Sequence, residues 1–295
     1  MIDWRVSLWY PWVARLPSNL PWHLARWIGR EPATQQQATS RFLVGLWSNL
    51  FSGYAPDVYW DWANRHRMLM AWEMADAMAF HRLGRSGGPR IAVVDDARVL
   101  QAIRVGRQGT ILVVNHWDRL LTAPVAVART GVRVNVLTMP VLNNPELGPA
   151  WRDFLLRKIA GFVRETGGRW VTTDQPLRDV HRDLEQGGVW LILADAWRQE
   201  FSRWREHPFL GGQLRLPTGV ERLARATQSR LVYAWTDSEG PSALRVTFRP
   251  LDGDPLHAID TVVAHLEQSI RRSPWRWWQW GLFGRMWSPY PGGGI

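Results

Sequence analysis

The sequence contains no cysteine among its 295 residues. This absence excludes a small secreted fold held by disulfides, a zinc site with thiolate ligands and a catalytic cysteine. Charged residues make up only 21% of the chain, whereas hydrophobic residues make up 46%. A disordered chain carries less apolar material than this, so the sequence predicts a folded protein with a substantial core.

Lysine is nearly absent as well, since Lys158 is the only one in the chain. The formal net charge of +10 therefore comes almost entirely from arginine, which binds phosphates and carboxylates through a forked pair of N–H groups. The chain also holds 21 tryptophans, and tryptophan prefers the boundary between water and lipid. Arginine together with tryptophan favours an anionic membrane lipid surface as a partner. Nucleic acid is not expected as a partner, because no nucleic-acid-binding motif is present.

No long uninterrupted hydrophobic run is present either. The most apolar stretch, residues 6–25, carries Arg15 near its centre together with three prolines, which makes it a poor membrane span. The start of the chain also lacks the pattern of a signal peptide. Tryptophans and arginines spread over residues 4–30 instead suit a helix lying in the membrane interface. A helical hairpin packed on the rest of the protein is the alternative.

The pattern of apolar residues divides the chain into three parts. Residues 1–88 are predicted to form a helical, membrane-associating region, and residues 251–295 a C-terminal helix with a tryptophan-rich tail. Residues 89–250 alternate between helices and strands, with strands predicted at 91–94, 110–115, 132–139, 170–173, 189–194, 231–236 and 244–249. This alternation predicts an α/β fold, with a mixed central sheet flanked by helices and all three parts in one structural domain.

His116 is the best candidate for a catalytic residue. It follows the apolar run 111–115, and functional residues of α/β sheets collect at the carboxyl ends of strands. An imidazole in this place can take a proton from an alcohol, because its ordinary pKa lies close to neutrality. A structural histidine is the alternative. The chain has neither a glycine-rich phosphate loop nor a Gly-x-Ser-x-Gly sequence, which argues against a P-loop site and serine-hydrolase chemistry.

The sequence around His116, Val-Asn-His-Trp-Asp-Arg-Leu-Leu at 114–121, resembles the opening motif of the bacterial lysophospholipid and lipid A acyltransferases. A second block, residues 207–227, is similar to the lauroyl (late lipid A) acyltransferase branch, in which a Pro-Phe-Phe-Gly element leads through Thr-Gly into a helix. The segment 143–147, Arg152 and the run 188–195 lie between the two blocks in the family's order. The likeness extends over residues 15–287.

The resemblance implies a glycerol-3-phosphate/lysophospholipid acyltransferase-like fold and an acyl transfer reaction. The donor would be a thioester of acyl carrier protein or of coenzyme A, and the acceptor a hydroxyl or amine of a lipid A-like or other lipid. No metal and no other cofactor is implied, because a thioester is already activated. The resemblance also implies a peripheral or monotopic protein located at the cytoplasmic face of the cell inner membrane. An acidic acyl carrier protein would be attracted by an arginine-rich rim.

The resemblance also assigns roles to individual residues. His116 is the general base, and the expected substrate-binding residues are Asn115, Arg152, Asp195, Arg198, Thr218 and Gly219. Asp195 ends an apolar strand and would line the cleft or cap a turn. Arg198 would lie near the donor or lipid head group, or on a solvated surface. Thr218 and Gly219 open a helix whose N–H groups can hold a developing oxyanion, or are ordinary capping residues.

One position departs from the family. Its members carry an Asp or Glu five residues after the histidine, where this chain has Leu121. That acid orients the imidazole and stabilises its cation, which a leucine cannot do. Asp118, two residues after His116, would orient the ring, cap the next helix, or do both. The alternative function is that of a relative that binds acyl chains or acyl carrier protein without transferring acyl groups.

Overall fold

A computed structural model describes residues 4–30, 34–143 and 147–290. The N-terminal part is helical: a π-helical turn, Arg5–Trp9, continues into α1 (Tyr10–Val13), followed by α2 (Leu20–Arg30), α3 (Thr34–Leu50) and α4 (Pro56–Met78). Helix α2 packs on α4, where the indole nitrogen of buried Trp22 donates to Asp76 Oδ1 at 2.7 Å. Within the described part of the chain, no helix has both the length and the hydropathy needed to cross a bilayer.

The remaining elements follow in alternation. The strands are β1 (Arg90–Asp95), β2 (Thr110–Val114), β3 (Val134–Thr138), β4 (Gly167–Thr172), β5 (Val189–Leu193), β6 (Trp204–Phe209), β7 (Gly212–Pro217), β8 (Arg230–Ser238), β9 (Ala243–Leu251) and β10 (Trp287–Pro289). The helices are α5 (Val99–Val105), α6 (Thr122–Ala128), α7 (Pro149–Thr166), α8 (Arg178–Glu185), α9 (Gly219–Thr227), α10 (Pro255–Arg272) and α11 (Phe283–Met286).

The central sheet of the described chain has seven strands in the order β1-β9-β8-β2-β5-β3-β4. Strands β2, β3, β4, β5 and β8 run parallel to one another, whereas β9 runs antiparallel to β8 and parallel to β1. The sheet is therefore mixed, which confirms the predicted α/β fold with a mixed central sheet flanked by helices.

Alternation of side chains along the strands builds one core on each face of the sheet. On β2, Ile111 and Val113 point to one face, and Leu112 and Val114 to the other. Helices α8, α9 and α10 cover the first face, and α2, α6 and α7 cover the second. Because every residue of β2 is buried, the strand is apolar on both sides, as is usual for the centre of a parallel sheet.

A hairpin that the sequence pattern did not predict follows β5. Strands β6 and β7 pair in antiparallel fashion, and β10 adds a third strand beside β7. The turn residues Leu210 and Gly211 have φ angles of 48° and 75°, which match the twist of the two strands in a two-residue hairpin turn. Pro208 and the charges of β6 interrupt its apolar alternation, so the sequence alone does not indicate a strand there.

The tryptophan-rich segment 274–280 packs into the core. Trp277 and Trp280 are 0% and 1% exposed. They share one hydrophobic cluster with Ile111 of β2 and Trp47 of α3, so this core is built from all three parts of the chain. The end of the chain beyond residue 290, which has one proline and three glycines, lies outside the described residues.

Candidate active site

His116 lies at the carboxyl end of β2. Its side chain is 19% exposed, although the strand that carries it is buried. The ring nitrogen Nδ1 lies 2.9 Å from Oδ1 of Asp195. An ionised carboxylate is a strong acceptor, so it holds the ring proton on Nδ1. The other nitrogen, Nε2, is then the one that can accept a proton from a substrate.

Asp195 reaches His116 because their strands are neighbours. Val114 of β2 pairs with Leu193 of β5 in parallel register, so the residues after both strands meet at one edge of the sheet. The Asp195 side chain is 0% exposed. Besides the ring, its carboxylate accepts the main-chain N–H of His116 at 2.9 and 3.0 Å and Nε1–H of Trp277 at 2.8 Å. These donors hold the carboxylate in place, and the carboxylate in turn orients the imidazole.

Asp118 does not orient His116, which corrects one expectation from the sequence. Its side chain is 0% exposed, and its oxygens are occupied by other donors. Oδ1 accepts from Arg119 N at 2.8 Å, and Oδ2 accepts from Ser238 N at 2.8 Å and Arg276 Nη1 at 2.5 Å. The chain turns sharply at Asp118, with φ of 48°. The Asp118 carboxylate forms its ion pair with Arg276 and not with the imidazole of His116.

Asp118 is not the cap of the next helix either. Helix α6 begins at Thr122, and its N-cap residue is Leu121, whose side chain makes no capping hydrogen bond. Leu121 is 3% exposed and belongs to the hydrophobic cluster on the α6 face of the sheet. The position at which the resembling acyltransferases carry an acid is thus part of the apolar core here, and the carboxylate beside His116 comes from the neighbouring strand.

Residues 276–279, named here the C-terminal strap, close the loop that carries His116. Trp278 N donates to His116 O at 2.9 Å. The amide nitrogen Nε2 of Gln279 donates to the main-chain oxygen of Asp195 at 3.3 Å and lies 2.7 Å from Nδ1 of His116. With the Nδ1 hydrogen on the side of Asp195, this second distance is a contact between two donors and not a hydrogen bond. A site role for the strap was not predicted from the sequence. The density of tryptophans after an amphipathic helix was nevertheless a signal that this segment packs against the domain.

A cavity of about 750 Å³ adjoins His116. Its apolar lining comes mainly from β3, β5, α8 and α9 and includes Leu137, Met139, Leu177, Ile192, Phe201, Val220 and Leu223. Three exposed arginines, Arg203, Arg222 and Arg225, also line it, and no Asp or Glu of the described chain does. Apolar walls with cations at the solvent-exposed side fit a ligand with a long apolar group and an anionic end.

Only some of the predicted substrate-binding residues reach this cavity. Thr218 and Gly219 line it at the start of α9. Arg152 does not, because it is exposed in the first turn of α7, on the opposite face of the sheet. Arg198 does not line it either and pairs with Glu200 at 3.3 Å. Residues 144–146 of the predicted Asn-Pro segment lie outside the described residues.

Asn115 faces a buried polar cluster rather than the cavity. Its Nδ2 donates to Tyr233 Oη at 3.1 Å, and that hydroxyl lies 3.1 Å from Nδ1 of His265. Burial raises the pKa of Tyr233, whereas burial, followed by the charges of Arg249 and Arg272, lowers the pKa of His265 to about 4. Both groups are therefore neutral at pH 7, and the Asn115 side chain links β2 to Tyr233 of β8.

Comparison with protein-family models and with curated proteins gives no match for this chain. In the ranges that the structure describes, no three His, Asp or Glu side chains come together in a way that could hold a metal ion. The function is therefore inferred from the pair His116 and Asp195, the cavity beside it and the C-terminal strap.

Asp118→Asn is expected to lower the free energy of unfolding. Asparagine tolerates the left-handed backbone conformation, but the substitution removes the charge that pairs with Arg276, and a hydrogen bond to a charged group contributes about 1.5–3 kcal/mol. Urea unfolding should register a loss of this size. The control Asp252→Asn, at an exposed position, should change stability by less than about 0.5 kcal/mol. Full stability combined with lost catalysis would instead favour Asp118 as the partner of His116.

Proposed function

We propose that this protein is an acyltransferase that moves an acyl group from a thioester of acyl carrier protein or coenzyme A to a hydroxyl or amine of a lipid. The observation that carries the proposal is the pair His116 and Asp195 beside an apolar cavity of about 750 Å³. The reaction needs a proton acceptor and room for a fatty chain, and both are present side by side. The resemblance of residues 114–121 and 207–227 to the late lipid A acyltransferases supports a lipid A-like acceptor.

In the proposed reaction, Nε2 of His116 accepts the proton of the acceptor hydroxyl while the hydroxyl oxygen attacks the thioester carbonyl carbon. The carbonyl oxygen becomes negative, and free N–H groups at the start of α9, where Gly219 lines the cavity, can stabilise it. When the carbon–sulfur bond breaks, the imidazolium returns its proton to the leaving thiolate. The products are an ester and a free thiol. Asp195 remains ionised and stabilises the imidazolium.

The arginines beside the cavity support either donor. Coenzyme A carries phosphates, and acyl carrier protein has an acidic surface. Arg203 and Arg222 are exposed and line the cavity, whereas Arg225, which also lines it, already pairs with Asp254 at 2.6 Å. Their attraction for an anionic donor speeds the encounter and weakens as the salt concentration rises.

A second candidate function is the binding of acyl chains or acyl carrier protein without transfer. Leu121 favours it, because the family's carboxylate is missing from that position. The contact between Asp195 and Nδ1 of His116 favours transfer, because it supplies a carboxylate from β5 to the same ring.

A single-turnover assay separates the two functions. Purified protein is mixed with a radiolabelled acyl thioester of carrier protein or of coenzyme A and with a bacterial lipid extract. Transfer predicts that labelled lipid ester or amide appears in step with free thiol. A thioester that binds but is not consumed indicates the binding function. Thiol release with only free fatty acid, or no binding of any thioester, contradicts both.

We also propose that the protein docks peripherally on the cytoplasmic face of the inner membrane through its N-terminal helices. Trp4, Leu8 and Trp12 recur every four residues and are 52%, 69% and 59% exposed. Helix α7 packs beside the π-helical turn Arg5–Trp9. It adds two more exposed apolar side chains, Trp151 and Leu156, which are 39% and 48% exposed. Exposed aromatic and aliphatic side chains on amphipathic helices suit the membrane interface. These five residues are called the docking face below.

Leu8→Ser combined with Trp12→Ser is expected to weaken vesicle binding without unfolding the protein. Each apolar side chain that enters the lipid contributes up to about 1.5–3 kcal/mol, so affinity in vesicle co-sedimentation should fall at least about tenfold. The control Val105→Ser removes a side chain that is also 69% exposed but belongs to α5, and it should leave affinity unchanged. Equal binding by the double serine variant and the wild type would contradict the docking face.

A further inference from the structure

A second cavity, of about 760 Å³, lies on the face of the sheet opposite to the His116 cavity, between the loop 14–18, the turn Phe80–Arg82 and α7. It is called the basic pocket below. Its lining includes Arg15, His81, Arg82, Arg157 and Arg164, and no Asp or Glu of the described chain. A cluster of guanidinium groups without a carboxylate among them attracts an anion.

Arg82 builds the pocket. Its Nη1 donates to Leu16 O at 2.6 Å, its Nη2 donates to Ser18 O, and its guanidinium lies over the ring of Trp22 at 5.3 Å. These contacts hold the loop 14–18 against the end of the α4 region. The Arg82 guanidinium is therefore hydrogen-bonded to main-chain carbonyl groups of the protein and forms part of the pocket wall.

Arg15 and Arg157 are the cations left for a ligand. Both are exposed, and neither pairs with a carboxylate in the part of the chain that the structure describes. Arg164 has Glu165 at 3.9 Å, but that carboxylate also pairs with Arg129 at 3.3 Å, and Glu165 does not line the pocket. The basic pocket therefore keeps a positive charge that no described side chain neutralises.

His81 provides a local probe of this charge. Burial lowers the pKa of its imidazole, and the charges of Arg164, Arg82 and Arg85 lower it further against an opposing effect of Glu165. An anion bound in the pocket would raise the pKa of His81, because nearby negative charge favours the imidazolium form.

We infer that the basic pocket binds the phosphate group of an anionic phospholipid, with Arg15 and Arg157 as the contacting cations. The pocket also has apolar lining, including Pro11, Leu16 and Met78, which fits the glycerol and first methylenes of a lipid and has no counterpart in free phosphate. Trp12 of the docking face follows Pro11 directly and is 59% exposed, so the pocket adjoins the proposed membrane surface. The inference rests on the docking face and not on acyl transfer.

The first test uses dihexanoyl-phosphatidylglycerol, a short-chain lipid that dissolves as a monomer, with the full-length protein. We expect saturable binding that raises the pKa of His81 in an NMR titration, and loss of that shift in the variant Arg15→Gln/Arg157→Gln. Dihexanoyl-phosphatidylcholine should act weakly, because it carries no net charge. An equally strong effect of inorganic phosphate would overturn the phospholipid assignment. Absence of a shift with every phosphate compound would overturn the site.

The second test compares vesicles of phosphatidylcholine with vesicles that also contain phosphatidylglycerol. Each arginine near an anionic surface is expected to contribute about fivefold in affinity, so the double glutamine variant should lose more than tenfold on the anionic vesicles only. The control Arg104→Gln, an exposed arginine on α5, removes the same charge elsewhere and should have little effect. An equal loss in the control would mean that net charge governs binding and would overturn the pocket.

The docking face and the basic pocket are separate proposals, and one variant distinguishes their failures. Leu8→Ser/Trp12→Ser should weaken binding to both vesicle compositions and leave the soluble lipid's effect on His81 intact. Loss of that effect in this variant would overturn the assignment of phosphate binding to the arginines. Neither readout involves acyl transfer, so an inactive enzyme would leave the conclusion on the basic pocket unchanged.

Discussion

Asp195→Asn is expected to lower kcat for acyl transfer by about 10²–10⁴-fold, close to the loss expected for His116→Ala. Asp195 now accepts the hydrogen on Nδ1 at 2.9 Å, which leaves Nε2 free to take a proton. An asparagine NH2 group facing Nδ1 would donate to it and favour the tautomer with the hydrogen on Nε2, which cannot act as a base. An amide also fails to stabilise the imidazolium. Single-turnover release of thiol in the variant measures the effect.

Two further variants test whether the loss of activity is specific to the contact between Asp195 and His116. Glu185→Gln, an exposed acid on α8, removes the same charge and should leave kcat unchanged. His116→Ala should remain folded by circular dichroism, because its ring is partly exposed and Asp195 keeps the donors from His116 N and Trp277. If Asp195→Asn retains full activity while His116→Ala loses it, Asp195 has only a structural role and the proposed pairing is wrong.

Arg119→Met is expected to lower the free energy of unfolding by about 3–5 kcal/mol, as for other buried ion pairs that lose one partner. The Arg119 side chain is 0% exposed and donates to Asp76 through Nε at 2.6 Å and Nη2 at 2.5 Å. Its Nη1 donates to Pro241 O at 2.9 Å. Methionine matches much of its length but leaves the Asp76 carboxylate buried, with Trp22 as a neutral donor. Urea unfolding monitored by tryptophan fluorescence gives the value.

A surface pair on the same protein provides the control. Arg245 pairs with Glu239 at 2.7 Å, but both side chains are more than half exposed, so Arg245→Met should lose less than about 1 kcal/mol. The double variant Asp76→Leu/Arg119→Met removes both buried charges and should recover part of the loss. A loss in Arg119→Met no larger than in Arg245→Met would mean that the buried pair does not hold α4 to the His116 loop.

The strands that carry the site could be predicted from the sequence because each is a short apolar run that is buried on both faces. The runs 110–115 and 189–194 were predicted in this way, and they correspond to β2 and β5. His116 and Asp195 were named because each directly follows such a run. Their contact was not predictable, since 79 residues separate them and the order of strands in the sheet is set by packing between distant elements.

The hydrogen-bond partners of the polar residues near His116 could not be predicted from their neighbours in the sequence either. Asp118 was expected to serve the ring or the next helix, because those groups are its neighbours along the chain. Its observed partner, Arg276, lies 158 residues away. The same strap brings Gln279 to the ring. Once buried, a charged group must find a partner wherever the fold supplies one, and proximity in sequence does not decide which.

Hydrophobic periodicity is a local property of the chain, so it was enough to predict the α/β class, the helical N-terminal part and the positions of His116 and Asp195 after buried strands. Three features became visible in the folded chain alone: Asp195 rather than Asp118 orients His116, Leu121 lies in the apolar core, and the basic pocket forms between the N-terminal loop and α7. Side-chain pairing and cavity shape depend on which elements pack together. That packing joins residues far apart in sequence.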